Sequence, residues 1–125
     1  MCTVSFTIPY PPQKQRSAFF KAYSLNSIYG GVHWSSRKRY AEKWHEIVHA
    51  ELIRQKIKKT ILKRPVEVWF WWDDRLDIDN HALMGKMTVD ALKGWLIEDD
   101  NKKHFVAVHH GYWNEGKIGV EIRER

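Results

Sequence analysis

Four prolines divide this chain, and each stands at the end of a patterned run. Pro9, Pro11 and Pro12 stop Thr3–Ile8, whose polar and apolar residues alternate as a first strand requires. Pro65 closes a second stretch. Within it, Ser35 or Ser36 can cap a helix running to about Lys59, with Tyr40, Trp44, Ile47, Val48, Leu52 and Ile57 at helical spacing. Between these runs, residues 13–34 are polar and aromatic, include Gly30 and Gly31, and read as a long loop. Beyond Pro65, Val66–Trp72 is β-branched and aromatic and reads as a second strand. A second helix is expected from about Ile78 to Lys93, with Gly94 just past its end. Lys103–Trp113 and Lys117–Arg123 read as a hairpin around Asn114, Glu115 and Gly116. The order strand, helix, strand, helix, strand, strand implies an α+β fold, a mixed sheet with helices mainly on one face. A length of 125 residues fits one domain over the whole chain, 1–125.

Charge is distributed unevenly. Residues 1–64 carry 13 Lys and Arg against 3 Glu, whereas residues 65–125 carry 8 against 12 acids. A basic half suits a polyanionic partner, because each neutralised phosphate releases counterions. Eight of the 15 acids lie between Asp73 and Asp100. Such a group repels DNA unless it holds divalent cations that invert the local charge; the plain alternative is a solvated helix face and an acidic loop. The single cysteine, Cys2, excludes an intramolecular disulfide and fits a reducing cytoplasm. No apolar run reaches the roughly 20 residues that span a bilayer, and the N-terminus lacks the features of a signal peptide, so a cytoplasmic, soluble protein is expected.

Within the acidic segment, Asp77 and Asp79 are two apart at a strand-to-helix junction, where extended geometry points both carboxylates the same way. On the helix, Asp79, Leu83, Lys86 and Asp90 fall on one stripe, and Asp99–Asp100 follows where the chain can fold back. Magnesium takes oxygen ligands, and metal-assisted phosphodiester hydrolysis needs a metal-activated water and a charge near the leaving oxygen. Convergent aspartates and a lysine supply those parts. The structural alternative makes Asp77 or Asp79 an N-cap, Lys86–Asp90 a helical ion pair and Asp99–Asp100 a turn.

Taken together, Asp77-Ile-Asp79-Asn80, Lys86, Asp90-Ala91-Leu92, Gly94 and Asp99-Asp100 resemble the RusA family of Holliday junction resolvases. Phe6-Thr-Ile-Pro-Tyr-Pro-Pro12 resembles that family's start, and the final pair of strands its end; residues 13–64 resemble it least. The resemblance implies a RusA-like, homodimeric, magnesium-dependent endodeoxyribonuclease of the bacterial cytoplasm, host- or phage-encoded. It would nick opposite strands of a four-way DNA junction, with Mn2+ as a possible substitute metal and no organic cofactor. Asp77, Asp79 and Asp100 would be the metal-binding catalytic acids, Lys86 the catalytic lysine, and Asp90 and Asp99 supporting acids. Arg37, Lys38, Arg39, Arg75, Lys102 and Lys103 are the expected DNA contacts. Five residues, His81 to Gly85, separate Asn80 from Lys86, where the family usually has two. Three extra residues turn a helix by about 300°, which keeps the lysine on its face but shifts it about 4.5 Å along the axis; alternatively they form a loop before the helix. The other class of function is a non-catalytic DNA-binding protein in which these acids are structural.

Two further motifs compete. His45-Glu-Ile-Val-His49 matches the zinc-protease pattern on a helix, but an exposed face of a basic helix is the simpler reading. An EF-hand started at Asp77 fails, with Ala82 where the turn glycine belongs and Thr88 where the bidentate glutamate belongs. Trp69-Phe-Trp-Trp72 places aromatics on both faces of its strand, for burial, for a dimer interface or for stacking on unpaired bases.

Overall fold

Alternation along one strand sets the two faces of the sheet. In β2 (Val66–Trp72), Val66, Val68, Phe70 and Trp72 are buried while Glu67, Trp69 and Trp71 are half-exposed. That is the period of two that a pleated strand imposes. β4 (Lys117–Glu124) lies antiparallel on one side of β2 and β3 (Phe105–Tyr112) parallel on the other. β1 (Thr3–Pro9) pairs antiparallel with β4, so the four-stranded sheet has the order β1-β4-β2-β3. The computed structural model describes residues 2–25 and 34–125; the part of the expected loop at residues 26–33, with Tyr29-Gly-Gly-Val-His33, lies outside them.

The expected β3–β4 hairpin does not form, because β2 stands between those strands. The connection runs over the end of β2: the Trp113 N–H donates to the Trp72 carbonyl at 2.9 Å and the Gly116 N–H to the Asp73 carboxylate at 2.7 Å. β4 buries Ile118, Gly119, Val120 and Ile122, as a strand with two neighbours does. Short spacing between two strand-like runs suggests a hairpin, but alternation within each run does not name its partner.

Three helices are described. α1 (Arg16–Tyr23), preceded by a 3-10 turn at Gln13–Gln15, occupies the segment expected to be loop. It forms because Phe19, Phe20 and Tyr23 reach the rings of Tyr10, Tyr40 and Trp44 at centroid separations of 5.0–6.3 Å. Tertiary aromatic packing thus overrides a sequence of weak local preference. α2 (Trp34–Arg54) buries Trp44, Val48 and Leu52 completely. The 3-10 turn Ile78–His81 leads into α3 (Ala82–Leu92), which is locked to α2 by a bond from Trp44 Nε1–H to Thr88 Oγ1 at 2.9 Å. Among the described residues the element order is therefore strand, helix, helix, strand, helix, strand, strand. An α+β domain with a mixed sheet stands. The described residues contain no helix long and apolar enough to cross a membrane.

α2 stops five residues before the expected Lys59. Lys56 adopts φ 59°, its N–H donates to the Ile53 carbonyl at 3.0 Å, and the Ile57 N–H donates to the Leu52 carbonyl at 2.9 Å. This is a Schellman ending, which normally advertises itself with glycine, here made with a lysine. Lys56→Gly should raise stability by about 0.5–1 kcal/mol, since glycine carries no left-handed penalty. The check is a higher urea midpoint with an unchanged m-value; a lower midpoint would contradict this account of the helix end.

Candidate active site

The turn that follows β2 is held from within. Asp74 accepts bonds from the Tyr10 hydroxyl at 2.7 Å and from the Leu76 N–H at 2.9 Å, and lies 2.7 Å from His81 Nε2. The His81 and Asp74 side chains are 0% and 2% exposed. The same Tyr10 oxygen accepts the Asp73 N–H at 2.9 Å. His81 stacks on Trp72 with centroids 4.3 Å apart and directs Nδ1 at the Ile78 carbonyl oxygen, 3.1 Å away. The Tyr112 hydroxyl donates to the Leu76 carbonyl. Burial would raise the Asp74 carboxyl, but His81 and then Tyr10 outweigh it and hold it below the usual range. Burial, reinforced by Asp74, pushes the Tyr10 phenol up.

Asp77 and Asp79 stand exposed on this pinned turn. Asp77 is extended at φ −60° and ψ 151°, immediately before the 3-10 turn, and Asp79 lies in its first turn. Neither side chain caps the helix, and neither carboxylate forms a hydrogen bond or ion pair among the described residues. Their field reaches the Tyr112 phenol, which burial, then Asp74, Asp77 and Asp79, push up.

The other aspartates of the segment are engaged. Asp73 accepts the Gly116 N–H, whereas Glu98 stays exposed, 3.7 Å from His104. Asp90 contacts Lys86 at 3.1 Å and Lys93 at 3.5 Å, and Lys93 also reaches Asp100 at 3.4 Å. Asp99 accepts the Asp100 N–H at 2.8 Å and the Asn101 amide at 3.2 Å. Desolvation raises Asp100, but Asp99 and Lys93 outweigh it and hold it below the usual range. The helical stripe therefore brings Lys86 and Asp90 together but leaves Asp79 apart, because residues 79 to 90 span about 16 Å of helical rise. His81 to Gly85 wind into the 3-10 turn and the start of α3 rather than a loop.

Among the described residues, no three His, Cys, Asp or Glu side chains group to hold a metal ion. The five aspartates named from the sequence thus form two sets. Asp77 and Asp79 fit a hard divalent cation by donor chemistry, since magnesium is commonly held by one or two carboxylates plus water and substrate phosphate. Asp90 and Asp100 instead neutralise Lys93.

Lys86 and Asp90 lie on a ridge between two grooves. One, of about 320 Å³, is bordered by Leu83 and Met87 of α3 and by Arg37, Lys38 and Tyr40 of α2. The other, of about 300 Å³, runs between α3 and the edge strand β3 past Asp100, Val108 and His110. Arg37 and Lys38 therefore join the candidate site. Arg39 turns to the Tyr40 ring at 5.8 Å, Arg75 lies on the turn carrying Asp77, and Lys102 and Lys103 are exposed just after Asp100. No family model and no curated protein matches the chain.

The zinc-protease pattern is structural. His49 Nε2 lies 2.7 Å from the Ala91 carbonyl oxygen, which only accepts, so that nitrogen carries a proton and is closed to a metal. The face is packed rather than exposed: His49 stacks on Trp95 at 5.3 Å. Trp69 and Trp71 lie on the outer face of the sheet, their N–H groups donating to Glu67 and Glu121 at 2.8 Å, and Arg123 covers Trp69 at 4.5 Å.

Sequence reasoning missed Tyr10, Asp74, His81 and Lys93. Tyr10 is 64 residues from its partner, and no local signal couples them. Asp74→Asn should cost about 1.5–3 kcal/mol at pH 7, the worth of hydrogen bonds to a charged group. The folded pKa of Asp74 is depressed, so its contribution is present above the unfolded carboxylate value and is lost as pH falls through the folded value. Urea unfolding at pH 7 and pH 3 should show the gap between wild type and variant narrowing in acid; a gap that widens would contradict the assignment.

Proposed function

We propose that this chain is a divalent-metal-dependent DNA endonuclease acting on four-way junctions, as its resemblance to the RusA family implies. The observation that carries the reading is the contrast among its acids. The described aspartates from Asp73 to Asp100 accept a hydrogen bond or pair with a lysine, except Asp77 and Asp79, which are exposed and unpaired on a turn held rigid beneath them. Two neighbouring unneutralised carboxylates repel each other, and a divalent cation held by both would remove that repulsion. Magnesium or manganese bound there would supply Lewis acidity toward a phosphoryl oxygen and a more acidic bound water. Asp77 and Asp79 orient that chemistry. Lys86, with its side chain 70% exposed, is placed to approach a phosphate, and Arg37 and Lys38 across the groove to hold the strand. Two symmetric nicks call for two such sites, so the working assembly is a homodimer.

A non-catalytic DNA-binding protein is the second reading. The observation favouring it is Lys93, which already neutralises Asp90 and Asp100.

A labelled four-way junction with a linear duplex control, incubated with Mg2+, Mn2+ or EDTA, separates the two. Paired nicks confined to the junction and lost in EDTA are expected. Tight binding without cleavage in either metal would establish the binder. Asp79→Asn should abolish nicking while leaving folding and junction binding intact; retained nicking would refute the site. Removing both Arg37 and Lys38 should weaken binding uniformly across sequences and lower the salt slope by about 2.

A further inference from the structure

His110 is the polar group of the α3–β3 groove that neither the fold nor the carboxylates account for. Its Nδ1 lies 3.0 Å from Trp72 Nε1. An indole N–H is only a donor, so Nδ1 must accept, and the proton of the neutral ring resides on Nε2. Protonating Nδ1 would set two donors face to face. Burial, then His81 and His109, depress the basicity of the ring in the same direction. The opposite edge of the imidazole borders the groove at Gly85. A Cβ on that glycine would lie 3.0 Å from His110 Cε1, 3.3 Å from Phe70 Cε2 and 3.6 Å from His110 Nε2. Glycine inside a helix costs about 1 kcal/mol relative to alanine, and here it leaves room for the imidazole edge. Nε2 forms no hydrogen bond among the described residues.

We propose that His110 is a fixed neutral hydrogen-bond donor whose Nε2–H binds a phosphate oxygen of a nucleic-acid strand lying in the groove between α3 and β3. The locked tautomer excludes two other roles. A protonated Nε2 cannot ligate a metal, and it cannot act as a general base. Lys86, the cation of the groove's lining, is paired with Asp90 at 3.1 Å, and a phosphate oxygen entering the groove would take that lysine's charge in place of the carboxylate. A neutral imidazole donor stabilises charge that develops on oxygen without being discharged by Asp90 or Asp100, which line the same groove.

This inference rests on reading the groove as a DNA site, and its test is arranged to fail separately from that reading. Long-range 1H–15N spectra of the wild-type protein should show His110 as the Nε2–H tautomer. That signal should move on adding a four-way junction in Ca2+, and His110→Phe should cut junction cleavage about 100-fold, the usual loss of one transition-state donor. An Nδ1–H tautomer would overturn the proposal. So would an unmoved His110 signal with His110→Phe cleaving within 3-fold of wild type, although the nuclease reading would survive. If the junction neither binds nor is cut, the nuclease reading fails, and inorganic phosphate becomes the probe: a shift of the Nε2–H signal would still support an anion donor, and no shift would overturn it.

Discussion

The contact between Asp74 and His81 is buried almost completely, and the candidate site rests on it. An unpaired carboxylate there would be costly, so its donors are compulsory rather than incidental. Those donors come from the residues after β1, from the turn itself and from the 3-10 turn before α3. Satisfying one buried acid therefore fixes three parts of the chain relative to one another. Asp77 and Asp79 stand on the segment enclosed between Asp74 and His81. Their position is inherited from buried bonds in which they take no part.

Trp72 extends the same logic across the sheet. Its ring carries His81 on one side, and its N–H fixes the tautomer of His110 on β3. The β3–β4 connection is tied to the neighbouring backbone through the Trp72 carbonyl and the Asp73 carboxylate. The end of β2 thus organises the crossover, the acidic turn and the floor of the groove together. The basic start of α2 then brings Arg37 and Lys38 to the other side of α3, which places cations where a strand passing the acids would need them.

Much of this was legible from residue patterns. β2 has the bounds that its β-branched and aromatic run implies, and Gly94, at φ 79°, lies past the end of α3. Asp77 and Asp79 stand out by residue type alone. What escaped has physical reasons. α1 depends on rings brought from Tyr10, just after β1, and from α2, the end of α2 uses a lysine where glycine is the usual signal, and the partner of β4 is chosen by tertiary packing. Helical periodicity correctly joins Lys86 to Asp90, but it contains no information about Lys93, whose reach to Asp100 depends on the chain folding back. The roles of His81 and His110 come from partners 7 and 38 residues away and from tautomer chemistry that no spacing reveals.

The central claim is that the unpaired carboxylates of Asp77 and Asp79 hold the divalent cation. Paramagnetic broadening by substoichiometric Mn2+ in 1H–15N spectra locates the ion directly. Broadening should begin at the amides of residues 77–82 and at Tyr112, disappear in Asp79→Asn, and reverse on adding excess Mg2+. Broadening that begins at residues 98–101, or that persists unchanged in Asp79→Asn, would contradict the account.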